Sequence, residues 1–378
     1  MSEIKKLIER LCPEGVEYKT LGVLCEIKTG KGITQNDCTE DGLYPVMSGG
    51  QAPMGFYNEY NREGNTVTVS RVGAYAGFVS YLTEKFYCND KCFSVIPKNN
   101  ISINTKFLFY VLKHKEGFIK GLQSEGGVPT INTKKVGSVE IPVPPIEVQS
   151  KIVEILDNFT ELEAQLEAEL EARRKQYEYY RNQLLTFDKV GGARFDVKWM
   201  KMGEICNILD SMRKPITKGK RIEGSYPYYG ASGIVDYVED YIFDGDYLLI
   251  SEDGANLEMR TMPIAFSITG KNWVNNHAHI LQFENINTQK YVQQYIEHMD
   301  ISIYLSKGSM PKLTQAQLKS ILIPIPPLSE QQRIVGILDR FEALTTDLQS
   351  GLPAEIEARR KQYEYYREQL LTFKRKTA

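Results

Sequence analysis

One stretch constrains everything else in this chain of 378 residues. The run EARRKQYEYYRNQLLTF at 171–187 returns as EARRKQYEYYREQLLTF at 357–373, an offset of 186 residues, with Asn182 replaced by Glu368 as the single difference. Near-identity at a fixed offset of about half the chain means that a structural unit is duplicated. The chain therefore reads as two halves, each ending in the same helix.

Weaker matches extend the duplication. Aligning Gly22 with Gly203 pairs Leu24 with Ile205, Cys25 with Cys206 and Ile27 with Ile208. YPVMSGG from Tyr44 pairs with YPYYGAS from Tyr226, and GNTVTVSRVG from Gly64 with GDYLLISEDG from Gly245. SEGGVPTINTKKVGSVEIPVPP from Ser124 pairs with SKGSMPKLTQAQLKSILIPIPP from Ser306. Between these anchors the halves diverge. The expected order is a globular domain over 1–145, a helix over 146–190, a second globular domain over 191–327 and a second helix over 328–378. Short β-rich runs at 66–69, 93–96 and 247–250 are broken by Gly, Asn and Asp, and a brief helical run at 106–113 and 289–298 precedes the last strand of each half. The fold class is α+β, with two mixed domains and two long helices.

The diprolines Pro144–Pro145 and Pro326–Pro327 are stiff, non-helical exits from the globular domains. Ser329 and Gln332 have capping-box spacing at the start of the second helix. The first helix carries a seam at Ile152, Ile155, Phe159, Leu162, Leu166, Leu170, Tyr177, Tyr180 and Leu184. Spacings of three and four dominate, the pattern of a coiled coil. From 147 to 185 it spans roughly 58 Å at ~1.5 Å per residue, too long to stand without a partner. The second helix, with Ile334, Ile337, Phe341, Leu344, Leu348, Ile356, Tyr363, Tyr366 and Leu370, is that partner, antiparallel if a pseudo-two-fold axis relates the halves. Gly351 and Pro353 predict a break in it. Inside the first helix, 161–172 is a tandem tetrapeptide, ELEA–QLEA–ELEA.

Composition excludes less. Lys plus Arg number 46 and Asp plus Glu 48, a net charge of −2, so any nucleic-acid surface must be local. No apolar run is long enough to cross a bilayer and the N-terminal residues lack a signal-peptide core, which places the chain in the cytoplasm. Six scattered cysteines, including the Cys88/Cys92 pair, have no second pair at zinc spacing and read as structural. His277 and His279 alternate as on a strand rather than marking a metal site.

Two divergent globular domains alternating with near-identical helices ending in ARRKQYEYYR, each domain closing with I-P-[VI]-P-P, resemble the specificity subunit of Type I restriction–modification systems. The resemblance covers essentially the whole chain. It implies target-recognition domains that each read one half of a bipartite site on double-stranded DNA. It also implies helices that set the gap and dock two modification (methyltransferase) subunits. Restriction (translocase and nuclease) subunits join in the full complex. S-adenosylmethionine, ATP and Mg belong by this resemblance to the partner subunits, with none bound by this chain. The residues agree on one negative: neither a [DN]-P-P-[FY] methylation tetrapeptide nor a G-x4-G-K-[ST] phosphate loop is present, so a non-catalytic subunit is expected. The rival readings are a protein–protein scaffold without DNA specificity and a nuclease or methyltransferase acting alone, the latter opposed by the missing motifs.

The expected DNA contacts fall in three places. The loop RKPITKGKR puts Arg213, Lys214, Lys218, Lys220 and Arg221 within nine residues, and Lys28 and Lys31 are its weaker counterparts. Such a cluster suits phosphates, or is simply a solvated loop. At the strand ends, Ser70–Arg71–Val72–Gly73 matches Ser251–Glu252–Asp253–Gly254, a common frame carrying opposite charges. Arg71 suits guanine while Glu252 and Asp253 suit the cytosine amino group, or all are charges flanking a turn. The 124–130 and 306–312 loops, with Lys134, Lys135, Lys307 and Lys312 in or beside them, suit either a DNA-backbone contact or attachment of the domain to its helix. On the helices, Arg173, Lys175, Tyr179 and Arg181 and their repeats Arg359, Lys361, Tyr365 and Arg367 lie beside the seam. Tyr and Arg favour interfaces, so the same face presented twice fits two copies of one partner.

Overall fold

The computed structural model describes residues 2–99, 101–124, 127–187, 197–306, 308 and 310–376. They form two compact units, one of residues 1–167 with 356–378 and one of 168–355. Each unit contains one globular domain, the start of the helix that leaves it and the end of the other half's helix. The repeated sequence is thus exchanged: the first copy serves the second domain and the second copy the first.

In the first unit the amphipathic opening forms a helix, Ser2–Leu11. The domain is built on a four-stranded antiparallel sheet ordered Cys25–Thr29, Cys92–Pro97, Thr66–Ser70 and Val79–Leu82. Every residue of Thr66–Ser70 is buried, as expected for a strand covered on both faces. A smaller sheet joins Phe56–Tyr57, Tyr44–Met47 and Tyr87–Cys88. A two-stranded ribbon pairs Glu17–Thr20 with Glu140–Val143. The helix Thr105–His114 buries Phe107, Leu108, Tyr110, Val111 and Leu112 in the core.

The second unit repeats this plan. Asn207–Ile208, Ala278–Gln282, Tyr247–Ser251 and Ala265–Ile268 make the main sheet, again antiparallel. Gly233–Val238, Glu223–Gly230, Lys271–Val274 and Phe243–Asp244 make the smaller one, and Lys198–Lys201 pairs with Leu322–Ile325 as the ribbon. The helix Ile286–His298 takes the place of Thr105–His114. No helix of the described residues is long and apolar enough to cross a membrane.

The first long helix runs Ile146–Leu185, 40 residues, or about 60 Å at ~1.5 Å per residue. The second half has two helices, Leu328–Thr346 and Leu352–Leu371. The break falls at Gly351, where a Cβ would lie 2.6 Å from the Ala343 carbonyl oxygen, so only glycine lets the chain fold back over the preceding turn. Within the first unit the helices pack antiparallel: Phe159 meets Tyr366 at 5.4 Å and Tyr363 at 6.3 Å between ring centroids, and Arg360 reaches Glu163 and Glu167, each at 2.5 Å. Within the second, Tyr180 stacks on Phe341 at 5.6 Å and Tyr177 approaches the same ring at 6.2 Å. Seam aromatics thus meet in both units, although Tyr180 keeps 39% of its surface exposed.

The expected capping box does not form. Pro327 is the N-cap and no side chain caps the helix. One residue earlier, buried Gln331 donates to the Pro326 carbonyl at 2.8 Å and accepts from the Thr288 hydroxyl at 2.8 Å. Its counterpart Gln149 donates to the Pro144 carbonyl at 2.7 Å and accepts from the Asn104 amide at 2.8 Å. These glutamines satisfy carbonyls that the prolines leave without a ladder partner, and they clamp each helix to its domain.

Candidate functional site

In each domain the end of the central strand is stitched to two loops, which makes a corner. In the first, Ile131 donates its amide to the Arg71 carbonyl at 2.9 Å, Gly73 donates to Pro129 at 2.9 Å, and Val72 bridges Thr130. In the second, Leu313 donates to the Glu252 carbonyl at 2.8 Å, Gly254 donates to Pro311 at 3.2 Å, and Asp253 bridges Lys312. Gly73 at φ +101° and Gly254 at φ +114° turn the chain through conformations that a side chain would strain. The serines that begin both motifs face inward. Ser70 donates to the Gly50 carbonyl at 3.2 Å and Ser251 to Ala231 at 2.5 Å. Ser70 is 4% exposed, so it supports the corner and offers no surface to a ligand. Three pairs of segments that matched in sequence therefore converge in space.

The side chains filling the two corners differ in kind. In the second domain, Arg213 donates to Glu252 at 2.5 Å, to the Ala278 carbonyl at 2.8 Å and to the Asp210 carbonyl at 3.0 Å. Lys312 reaches the other Glu252 oxygen at 3.1 Å. Fully buried His279 puts Nδ1 2.7 Å from Asp210 Oδ2 and Nε2 2.7 Å from the Leu313 carbonyl oxygen. Asp210 also accepts from the Ile280 amide at 3.1 Å and from Gln315 at 3.1 Å. Burial pushes both carboxyls up, but His279 for Asp210, and Arg213 and Lys312 for Glu252, outweigh it and hold each below the usual carboxylate range. Asp210, Glu252 and His279 are a donor set that a divalent cation can use, yet every one of these donor atoms is already engaged by protein groups.

Among the described residues, the first domain places no such cluster at its corner. Arg71 donates to the Asp90 carbonyl at 3.1 Å and lies over the Phe93 ring at 5.8 Å. A half-exposed guanidinium thus stands where the second domain holds a consumed carboxylate.

The basic loop of the second domain divides into anchored and exposed cations. Arg213 is drawn into the corner and its side chain is only 13% exposed. Arg221 donates to the Ile216 carbonyl at 3.1 Å, pairs with Asp236 at 3.0 Å and stacks 4.4 Å over Tyr228. Trp273 donates to the Lys214 carbonyl at 2.6 Å. Lys214, Lys218 and Lys220 are left exposed on a loop pinned from three sides. Elsewhere, Lys28 is paired with Glu26, Lys31 and Lys134 are exposed, and Lys135 reaches the Gln123 carbonyl at 3.4 Å. Lys307 lies outside the described residues.

The repeated helical faces match locally. Tyr179 is 60% exposed and Tyr365 61%, each edge-on to the following tyrosine at 5.5 and 5.4 Å. Lys175 pairs with Glu171 at 3.3 Å and Lys361 with Glu357 at 3.4 Å, while Arg173 reaches Gln176 at 3.0 Å and Arg359 reaches Gln362 at 3.1 Å. Arg181 and Arg367 do not point outward. They turn back over Tyr177 at 5.5 Å and Tyr363 at 5.4 Å, with Nε buried.

The cysteines are free, and Cys25 and Cys206 occupy matching places where burial pushes each thiol to about 12. One element is not evident from the sequence: the loop Asn89–Asp90–Lys91 and its counterpart Asn275–Asn276–His277, which also join the corners. A single shared asparagine was the available signal.

The sequence matches the family described as Type I restriction modification DNA specificity domain twice, over residues 13–172 and 196–358. It is 35% identical over 298 residues to the Type I restriction enzyme EcoR124I/EcoR124II specificity subunit of Escherichia coli, covering 71% of this chain and 70% of that one. It is 31% identical over 360 residues to a type I specificity subunit of Mycoplasma pneumoniae, covering 92% and 95%. A Haemophilus influenzae type I specificity subunit is 43% identical over 181 residues, 47% of this chain and 46% of that one, so the chain spans about half of that relative. In fold, it is similar to the type I S subunit of M. genitalium at TM-score 0.61 and 20% identity, covering 94% and 95%. It is likewise similar to HsdS of Thermoanaerobacter tengcongensis at TM-score 0.51 and 18% identity, covering 96% of each chain. With both halves matched, the chain belongs to the type I restriction–modification DNA specificity subunits.

Proposed function

We propose that each globular domain reads one half of a bipartite site on double-stranded DNA, and that the helices set the gap and dock two modification subunits. The observation that carries this reading is one backbone corner built twice and filled differently, set against one helical face built twice and left alike. Unlike corners suit unlike half-sites; like faces suit two copies of one partner. The chain is non-catalytic in this scheme and binds no cofactor. S-adenosylmethionine serves the modification subunits, and ATP with Mg serves the restriction subunits that join them in the cytoplasm. The globular domains are assigned to 1–145 and 191–327 and the spacer segments to 146–190 and 328–378, of which 188–190 and 377–378 lie outside the described residues.

Lys214, Lys218 and Lys220 neutralise phosphates beside the second half-site, while Arg213 and Arg221 hold their loop in place. Each phosphate contact contributes about −0.9 to the slope of log K against log salt, so three contribute about −2.7. The test is DNA binding by the complex assembled with its modification partner, comparing the wild type with a Lys214→Ala/Lys218→Ala/Lys220→Ala variant across salt. Weaker binding with a slope shallower by about 2 to 3 supports the reading. Unchanged affinity and slope contradict it and favour a scaffold without DNA specificity.

A further inference from the structure

We propose that the Asn-x-Lys loop of the first domain and the Asn-x-His loop of the second are the base-reading elements, Lys91 donating to guanine and His277 accepting from the exocyclic amino group of adenine or cytosine. This rests on the reading that each domain binds a half-site.

The two loops share no residue but the asparagine, yet they are built by the same bonds. Asn89 and Asn275 are buried at 1% and 7% exposure. Asn89 donates its amide to the Met47 carbonyl at 2.8 Å, and Asn275 donates to Tyr229 at 3.0 Å. The Asn89 side-chain oxygen accepts from the Lys91 amide at 3.2 Å, and that of Asn275 from His277 at 2.8 Å. The Lys91 carbonyl accepts from Arg71 at 2.9 Å, and the His277 carbonyl from Glu252 at 2.8 Å. Between buried asparagine and the buried residue that follows the loop, two exposed side chains stand in each domain: Asp90 and Lys91, or Asn276 and His277. A frame rigidly shared, with its outward side chains free to differ, is what discrimination by hydrogen bonding requires.

The chemistry of each side chain follows. No carboxylate of the described residues pairs with Lys91, which offers three donors and no acceptor. In the major groove guanine alone presents two adjacent acceptors, N7 and O6. His277 is 51% exposed in its side chain and holds Nδ1 2.9 and 3.1 Å from the two oxygens of half-buried Asp253. A carboxylate can only accept, so Nδ1 carries the proton, and in the neutral tautomer that this bond selects Nε2 presents a lone pair. The donors that a lone pair can meet in the major groove are adenine N6 and cytosine N4. Asp253 is a positioning residue here. Glu252 is not the reader, because Arg213 and Lys312 occupy both of its oxygens.

The experiment maps methylated sites made by the complex carrying wild type, Lys91→Ala, Lys91→Arg, His277→Ala or Asp253→Asn. Both reading side chains are exposed, so their substitutions leave the fold standing, and Asp253→Asn keeps the shape of the side chain it replaces. Lys91→Ala relaxes one guanine position in one half-site and leaves the other half intact, with discrimination falling about 5- to 150-fold, the range for one good base contact. Lys91→Arg keeps that guanine. His277→Ala relaxes one position in the opposite half-site, and Asp253→Asn reproduces the effect in weaker form by freeing the ring's tautomer. A motif unchanged in both alanine variants overturns the proposal, as does methylation weakened alike at every site with the motif intact, the mark of phosphate contacts. If the wild type itself yields no two-part motif, the half-site reading fails; if that motif stands and the variants keep it, only the loop assignment fails.

Discussion

Replacing Arg213 by methionine separates an anchor from a DNA contact. The guanidinium joins three elements through its bonds to Glu252, the Ala278 carbonyl and the Asp210 carbonyl, and its side chain is 13% exposed against 12% for Glu252. Removing one partner of a buried pair costs about 3–5 kcal/mol, because the other charge stays buried. Lys312, 47% exposed, still neutralises Glu252, which places Arg213→Met at the low end, about 3 kcal/mol. That is roughly a 150-fold smaller folding constant at about 1.36 kcal/mol per tenfold. Both tryptophans of the chain, Trp199 and Trp273, lie in the second domain, so intrinsic fluorescence during urea unfolding reports on that unit. Lys214→Met is the control, exposed and expected to stay within about 0.5 kcal/mol. Lowered pH adds a second axis. Asp210 and Glu252 have depressed folded values, so their stabilisation is complete above the unfolded range near pH 4 and is lost as pH falls through the folded values below it. The wild type therefore loses stability below about pH 4, and Arg213→Met loses less there because part of the depression has gone. A loss under about 1 kcal/mol at neutral pH, or an equal loss for Lys214→Met, refutes the anchor role.

Other outcomes follow from the same geometry. Gln331→Ala leaves the Pro326 carbonyl and Thr288 hydroxyl without their partner, costing about 1–3 kcal/mol that tryptophan fluorescence detects, whereas the matching Gln149→Ala is silent in that signal and registers in circular dichroism. Tyr179→Ala and Tyr365→Ala each weaken docking of one modification subunit, and native mass spectrometry of either single variant shows assemblies with one copy in place of two. One added or deleted tetrapeptide within 161–172 rotates the helix by a net ~40° and shifts it ~6 Å, close to the ~35° turn of one base-pair step. Methylation mapping then shows the half-site gap changed by about one base pair, and an unchanged gap contradicts the ruler.

What was legible in the sequence is what depends on local pattern. The repeat, most of the seam and the break at Gly351 are written in spacing and in one residue's missing Cβ, but the seam residue Leu348 falls in that break and is 80% exposed. The corner was half legible: its segments matched between halves, but nothing local shows that Glu252 meets Arg213 across 39 positions. Five clustered cations looked alike in sequence, and only the fold divides Arg213 and Arg221 from the three lysines. The capping box at Ser329 failed for a similar reason. Pro327 already starts the helix, and Gln331 serves a carbonyl behind it. The reading loop was hidden further, because its halves share one asparagine, and His277 beside His279 looked like ordinary strand alternation.

The central claim is that two unlike corners read two unlike half-sites at a set distance. Methylation mapping in cells that carry this chain with its modification partner measures it directly. The account predicts one motif of two different short sequences separated by a constant run of unspecified bases. A continuous motif, two identical half-sites, or methylation without sequence preference would contradict it.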